Sequence, residues 1–154
     1  MKYIYERRIR IPAPAAQVFA WHEREDAFSK LIPPGEPVKL LERSGGIRDG
    51  AKTVLLTGRW PFQLKWIAIH DTYVPGRQFR DVQQSGPFKT WAHTHQVMPD
   101  GLGACVLIDH IEYELPLGAL GEKFGAKLVR RKLDVMFDWR HQVTYRENAE
   151  VTSL

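Results

Sequence analysis

The sequence predicts an α+β protein in which one curved antiparallel sheet of about seven strands is wrapped around a long C-terminal helix, with two short helices between the first two strands. Two observations support this fold class. Segments rich in aromatic and β-branched residues, separated by short turns, fill the middle of the chain, as in strands joined by hairpins. A proline-free stretch with helical spacing of its apolar residues then covers residues 118–146.

The first third of the chain predicts one strand, two short helices and a strand pair. Residues 2–11 alternate loosely between polar and apolar side chains, as in a half-buried strand. A helix is expected over residues 12–23, with Pro14 suited to its first turn, and another over residues 24–32, ended by the PPGEP segment. Two further strands, joined by the glycine-rich turn SGGIRDG, are expected at residues 38–43 and 51–59.

The middle of the chain predicts four more strands in a meander. These strands are expected at residues 62–74, 78–84, 89–98 and 104–115. Turns rich in Gly, Pro and Asp separate them, and Asp100-Gly101 is the strongest hairpin signal. Glycines weaken the first turns of the long helix that follows, and residues 147–154 are expected to fray.

Composition and length bound the class of protein. The chain has 154 residues, of which 44% are hydrophobic and 26% charged, which is typical of one ordinary globular domain. A lone cysteine, Cys105, excludes an internal disulfide and fits a reducing cytoplasm. No window approaches the roughly 18 apolar residues of a membrane span, and the charged N-terminus lacks the apolar run of a signal peptide. We therefore expect a cytoplasmic protein that does not insert into a membrane.

The net charge of +4 and the isoelectric point of about 9.3 weakly favour acidic partners. The basic residues are spread along the chain, however, and no nucleic-acid-binding motif accompanies them. Nucleic-acid binding is therefore not expected.

The segment TWAHTHQV places Trp91, His93 and His95 on one face of a strand, because side chains alternate along it. Counting residues outward from each turn predicts a row of acids and bases across four strands. In this row Asp81 lies opposite His70 and beside His93, and Asp109 lies opposite His93. The same count pairs His95 with Leu107 and places Phe79 opposite Thr72 and near His95. Because this face carries more aromatic residues than the other, we assign it to the concave side of the sheet.

Several functions are compatible with such a row. The HxH spacing suits a metal ion only if further ligands converge, which only His70, Asp81 or Asp109 could supply, so no metal is expected. Either aspartate could orient His93 as a general base. The preferred interpretation is a polar network that orients a ligand. A salt-bridge ladder facing solvent stays open as the alternative, because a slip of one residue would turn the other face inward.

The element order and two segments resemble the START-related, pollen-allergen-like superfamily, also grouped as SRPBCC or polyketide cyclase/dehydrase-like proteins. One segment is PAPAAQVFAW after the first strand. The other runs from WIAIHDTYV to WAHTH and is followed by DHIEYELPLG before the long helix. The resemblance covers nearly the whole chain and is to an uncharacterised bacterial branch. It implies the helix-grip fold and a single START-like ligand-binding domain over residues 1–154. It implies no cofactor, and no catalytic residue can be transferred because the superfamily has no shared catalytic motif.

We therefore expect the protein to bind a hydrophobic or aromatic small molecule, such as a lipid, quinone or polyketide, in a cavity between the sheet and the C-terminal helix. The expected contacts are Trp66, His70, Phe79, Asp81, Trp91, His93, His95, Asp109 and Tyr113 from the sheet, and Phe124 and Leu128 from the helix. One alternative is a polyketide cyclase/dehydratase-like enzyme that uses His93 with Asp81 or Asp109 as acid and base. A second is a protein-interaction module with a collapsed cavity. No oligomeric state is assigned.

Overall fold

The helices and strands follow the predicted order, which confirms the α+β helix-grip arrangement. A computed structural model describes residues 1–149. In chain order, the elements are β1 (Lys2–Ile11), α1 (Ala15–Glu23), α2 (Ala27–Lys30), β2 (Val38–Ser44), β3 (Lys52–Thr57), β4 (Leu64–Val74), β5 (Gln78–Ser85), β6 (Thr90–Pro99), β7 (Cys105–Glu114) and α3 (Gly118–Ala149).

All seven strands of the described chain join one antiparallel sheet in the order β1-β7-β6-β5-β4-β3-β2. Irregularities in β2 and β4 bend the sheet, because a bulged strand kinks and twists more strongly. One bulge in β4 lies between Asp71 and Val74 and contains Thr72, whose φ is +53°. It interrupts the pairing predicted between Thr72 and Phe79.

The concave face of the sheet packs against α1 and α3. From α3, Leu133 and Phe137 join a core cluster with Tyr5 and Ile111 of the sheet. From α1, Val18 and neighbouring residues join a second cluster that includes inward-facing residues of β1, β5, β6 and β7. The two helices therefore cover one face of the sheet.

The predicted register is right for β5 and β6 and wrong for β6 and β7. Asp81 pairs with both His70 and His93, as predicted. Asp109, however, pairs with His95, whereas the prediction placed it opposite His93. The hairpin loop between β6 and β7 is longer than the three residues assumed, so the register moves by two residues. Because the shift is even, every side chain keeps its predicted face.

Part of the segment predicted to fray is the packed last turn of α3. The Glu147 carboxylate accepts hydrogen bonds from Lys30 Nζ at 3.0 Å and Trp21 Nε1 at 3.3 Å, and Asn148 is buried. Residues 150–154, the remainder of that segment, lie outside the described residues. Among residues 1–149, none of the helices combines the length and the apolar character that a membrane span requires.

Candidate functional site

The predicted row of acids and bases faces the interior of the protein. Along β6, buried and less buried residues alternate, and Trp91, His93 and His95 all lie on the buried side. His93 is 2% exposed and Asp109 is 3% exposed. The alternative of a solvent-facing salt-bridge ladder is therefore wrong.

Asp109 is the centre of this cluster and contacts three imidazoles. Its Oδ1 lies 2.9 Å from His93 Nε2 and 2.9 Å from His95 Nδ1, while its Oδ2 lies 2.7 Å from His141 Nε2. A carboxylate can only accept hydrogen bonds, so each of these ring nitrogens carries a hydrogen and donates it. Asp109 thereby fixes the orientation of both β6 histidines and ties them to α3.

These contacts keep Asp109 ionised. Burial by itself would raise the pKa of the carboxyl group, but the hydrogen bonds from His141, His93 and His95 outweigh it. The pKa of Asp109 is held well below its usual range. A fixed negative charge therefore lies beneath the two histidines.

Asp81 of β5 lies on the opposite side of the same two imidazole rings. Its Oδ2 is 3.5 Å from His93 Nδ1 and 3.4 Å from His95 Nε2. The Phe79 ring stacks on the His95 ring with centroids 4.1 Å apart. The two histidines thus stand between two carboxylates, with Asp109 behind them and Asp81 in front. We call Asp81, His93, His95 and Asp109 the Asp–His cluster.

The two histidines of the cluster differ in charge. Burial and repulsion from His95 lower the pKa of His93 to about 4, so His93 is neutral at pH 7. Burial also acts to lower the pKa of His95, but hydrogen bonds with Asp109 and Asp81 outweigh it and raise that pKa above the ordinary value. His95 is therefore the better proton carrier of the pair, although His93 is the residue that the sequence favours as a base.

A pocket of about 130 Å³ opens in front of the cluster. Its walls come from strands β2–β6, from the segment around α2 and from the later turns of α3. Seven of the expected contact residues line it: Trp66, His70, Phe79, Asp81, Trp91, His93 and His95. A pocket lined by the described residues therefore lies between the sheet, the segment around α2 and α3.

Four expected contact residues lie elsewhere. Asp109 is covered by the histidines, and Tyr113 stacks on Tyr3 in the core with centroids 5.4 Å apart. Phe124 and Leu128 are 72% and 57% exposed and do not line the pocket. Helical periodicity identifies the apolar face of a helix but not which of its turns pack on the sheet. In α3 the later turns, from Leu133 onward, pack on the sheet.

Sequence reasoning missed many residues of the site, among them four basic ones: His22, Arg43, Arg140 and His141. His141 follows Leu133 and Phe137 at successive four-residue spacings, so extending the periodicity would have placed it on the buried face. The two arginines come from β2 and α3, and no local pattern marks them.

Unpaired hydrogen-bond donors surround the pocket. Among residues 1–149, five buried side-chain nitrogens have no hydrogen-bond partner: Arg43 Nε and Nη1, Trp66 Nε1, Trp91 Nε1 and Arg140 Nε. All four residues line the pocket. Buried donors are nearly always paired in folded proteins, so this concentration distinguishes the pocket from the rest of the interior.

Comparison with known proteins identifies the family. Residues 11–137 match the family described as polyketide cyclase / dehydrase and lipid transport, and the chain therefore belongs to it. A comparison with curated proteins finds no match.

Similar solved structures agree with the fold. A START superfamily protein from Mycobacterium smegmatis aligns with a TM-score of 0.69 at 12% identity, covering 96% of this chain and 98% of that one. Norcoclaurine synthase from Thalictrum flavum, in complex with dopamine and hydroxybenzaldehyde, aligns with a TM-score of 0.69 at 15% identity, covering 93% and 86%. A nucleoside-diphosphate sugar epimerase from Corynebacterium glutamicum aligns with a TM-score of 0.70 at 26% identity, but this chain spans only 28% of its length while 92% of this chain is covered.

Proposed function

We propose that the protein binds a hydrophobic or aromatic small molecule that carries one or more acceptor oxygens, in the pocket beside the Asp–His cluster. The observation that carries this proposal is the set of unpaired buried donors on an otherwise aromatic and aliphatic wall. Ligand sites are typically apolar clefts with a few placed polar groups. The family description, which covers both cyclases and lipid transport, agrees with such a ligand.

The donors define the chemistry of the ligand. Trp66 and Trp91 offer indole N–H groups and flat apolar faces, while Arg43 and Arg140 offer guanidinium groups. A buried donor without a partner is unfavourable by about 1–3 kcal/mol, so a ligand oxygen that accepts from it gains affinity. A carbonyl or carboxylate attached to a ring or chain satisfies both requirements.

Filling the pocket should weaken binding. We expect Ala68→Phe, a substitution at a buried pocket wall, to weaken the binding of 1-naphthoate by roughly ten-fold or more, about 1.4 kcal/mol.

Arg140→Met should weaken the binding of 1-naphthoate more than the binding of neutral naphthalene. Tryptophan fluorescence quenching measures both affinities, and native mass spectrometry of protein purified from its own host tests for a bound natural ligand.

The control is Leu120→Ala, since Leu120 is exposed on α3 and does not line the pocket. It should leave the affinity unchanged. Equal affinities for all three variants, each folded by circular dichroism, together with no natural ligand in the mass spectrum, would contradict the proposal.

A second candidate function is a cyclase/dehydratase-like activity, which the charge state of the cluster favours. His95 has a raised pKa and lies between two carboxylates, and neutral His93 lies beside it with the ring centroids 3.7 Å apart. Such a pair could take a proton from the carbon next to a ligand carbonyl and return it to the enolate. The bond that breaks is C–H, and the proton goes to an imidazole nitrogen.

This activity would appear as hydrogen exchange. In D2O we expect the methyl hydrogens of 2-acetonaphthone to exchange faster with the protein than without it, as followed by NMR. His95→Gln and His93→Ala should lower the rate by about 10²-fold or more while the affinity for the ketone changes little. If both variants lose affinity and exchange equally, or the native protein gives only the solvent rate, the protein binds without catalysis.

A further inference from the structure

We propose that Asp81, His93 and His95 form a binding site for a divalent transition-metal ion, of which Zn²⁺ fits best, open on the side of the pocket. The sequence alone did not favour a metal, because a row of aspartates and histidines is more often a hydrogen-bonded ladder and further ligands had to converge on the HxH pair. The structure brings one of the three candidate ligands, Asp81 of β5, to both histidines. The inference does not depend on the proposed organic ligand.

The distances from the Asp81 carboxylate to the two imidazoles match those between neighbouring ligands of a tetrahedral metal site. Asp81 Oδ2 lies 3.5 Å from His93 Nδ1 and 3.4 Å from His95 Nε2. One ligand atom from each of Asp81, His93 and His95 lies within 4.8 Å of the others. Zinc binds nitrogen and oxygen ligands at roughly 2.0–2.2 Å, and tetrahedral geometry then separates neighbouring ligand atoms by roughly 3.3–3.6 Å. A metal ion therefore fits between these atoms with small adjustments of the side chains.

Asp109 occupies one ring nitrogen of each histidine, so the nitrogens that face Asp81 are the ones that a metal ion can reach. Asp109 Oδ1 accepts the N–H of His93 Nε2 and of His95 Nδ1, each at 2.9 Å. Nδ1 of neutral His93 then carries a lone pair that faces Asp81. Nε2 of His95 faces the same carboxylate, and a metal ion that binds there displaces the proton that His95 shares with Asp81. Metal-bound histidines usually donate their other N–H to a carboxylate in this way.

The backbone preorganises the site. His93 and His95 are two residues apart on β6, so both rings project from the same face. Asp81 pairs directly with His93 on the neighbouring strand. Phe79 stacks on His95, and Phe137 contacts His93 edge-on with centroids 5.3 Å apart. The ligands therefore stand on rigid strands and need no loop to close around the ion.

The proposed site keeps one coordination position open. Among the described residues, the group that can hold an ion contains three ligands. The Asp81 side chain is 19% exposed, whereas His93 and His95 are more deeply buried, so the open side is that of Asp81 and the pocket. Three protein ligands and one open position are typical of zinc sites that bind a substrate or water oxygen. An oxygen of the pocket's occupant could take that position.

The test uses the full chain, freed of metal by chelator dialysis and titrated with Co²⁺ alone. We expect one equivalent to bind and to give the visible absorption bands of tetrahedral Co²⁺, with Zn²⁺ displacing it. Asp81→Asn and His95→Gln should weaken binding by 100-fold or more. Asp109→Asn, which alters only the hydrogen-bonded support, should weaken it by about 10–100-fold. His110→Gln, at an exposed histidine paired with Glu6, is the matched control and should change nothing.

The absence of stoichiometric Co²⁺ binding, or binding that survives both Asp81→Asn and His95→Gln, would overturn the proposal. Circular dichroism checks that each variant folds. If one does not, X-ray absorption of the Zn²⁺-loaded native protein decides, because an ion without two histidine ligands rules the site out. The affinity for 1-naphthoate is measured separately, with chelator present, so it does not depend on the metal. Failure of the metal site can therefore be distinguished from failure of ligand binding.

Discussion

At the scale of single residues, Asp109 and Asp81 show how position decides the role of a carboxylate. Both were expected to contact a ligand. Asp109 is enclosed by three histidines and cannot reach the pocket, whereas Asp81 borders it. Asp109 is thus a positioning residue for His93 and His95. Its chemistry was readable from the sequence, but its depth was not, because depth depended on a register that differs by two residues from the predicted one.

His22 predicts a dependence of stability on pH. Its Nδ1–H donates to the Val18 carbonyl at 2.8 Å, and burial and repulsion from His95 lower its pKa to about 4. Between the ordinary pKa of about 6.5 and this value, the unfolded chain binds a proton that the folded protein does not. His22 therefore contributes a loss of stability as pH falls from about 6.5 to 4, by at most roughly 1.4 kcal/mol per pH unit.

Urea unfolding at several pH values in the presence of chelator measures this dependence. His22→Gln should reduce the slope of unfolding free energy against pH within that window, since glutamine does not titrate. His93 has a similarly lowered pKa but is present in both proteins, so the difference isolates His22. Leu120→Ala, at an exposed position where the substitution adds or removes no titrating group, should retain the native slope. Identical slopes for the native protein and His22→Gln would contradict the assignment.

At the scale of elements, α3 divides into two halves with different roles. The half that contains Leu133, Phe137 and His141 packs on the sheet, and the half that contains Leu120 and Phe124 is largely exposed. Apolar spacing alone could not separate them, since both halves carry large hydrophobic residues at helical intervals. The division follows from where the curved sheet meets the helix.

Two phenylalanines on this helix give a matched comparison. Phe137 is completely buried against Tyr5 and His93, so Phe137→Ala should lower the free energy of unfolding by about 3–5 kcal/mol. Phe124 is 72% exposed, so Phe124→Ala should change it by no more than about 0.5 kcal/mol. Urea denaturation of the two variants checks both values. If Phe124→Ala lowered the free energy of unfolding as much as Phe137→Ala, the Phe124 side chain would have to be buried, which would contradict its exposed position.

The hairpins show which parts of an element are predictable from sequence. Turn residues and β-branched runs located every strand to within a few residues. The pairing of β5 with β6 followed from the same count, and it brought Asp81 to His93. The same count gave the wrong register for β6 and β7, because a loop of different length satisfies the same turn signals. The bulge around Thr72 was also unpredictable, since its left-handed residue is a threonine and not the glycine that usually marks such a position.

At the scale of the whole molecule, the fold was predictable and the pocket only partly so. Element order and the resemblance of two segments identified the helix-grip superfamily, which the family match confirms. The aromatic and histidine wall followed from strand periodicity. Arg43 and Arg140, by contrast, meet in one pocket although they are nearly a hundred positions apart in the chain. Only the curvature of the sheet and the crossing of α3 bring them together.

The hydrogen bond between His141 and Asp109 also bears on how a molecule can reach the pocket. It joins α3 to β7 at 2.7 Å, so swinging the helix outward would break a charged hydrogen bond, at a cost of about 1.5–3 kcal/mol. The opposite wall is built around α2, a single turn of four residues, and displacing it breaks no contact of the Asp–His cluster. Opening the pocket at α3 would therefore disrupt the Asp–His cluster, whereas opening it at α2 would leave the cluster intact but break the contact of Lys30 with Glu147 and the hydrogen bond from Trp139 Nε1 to the Lys30 carbonyl.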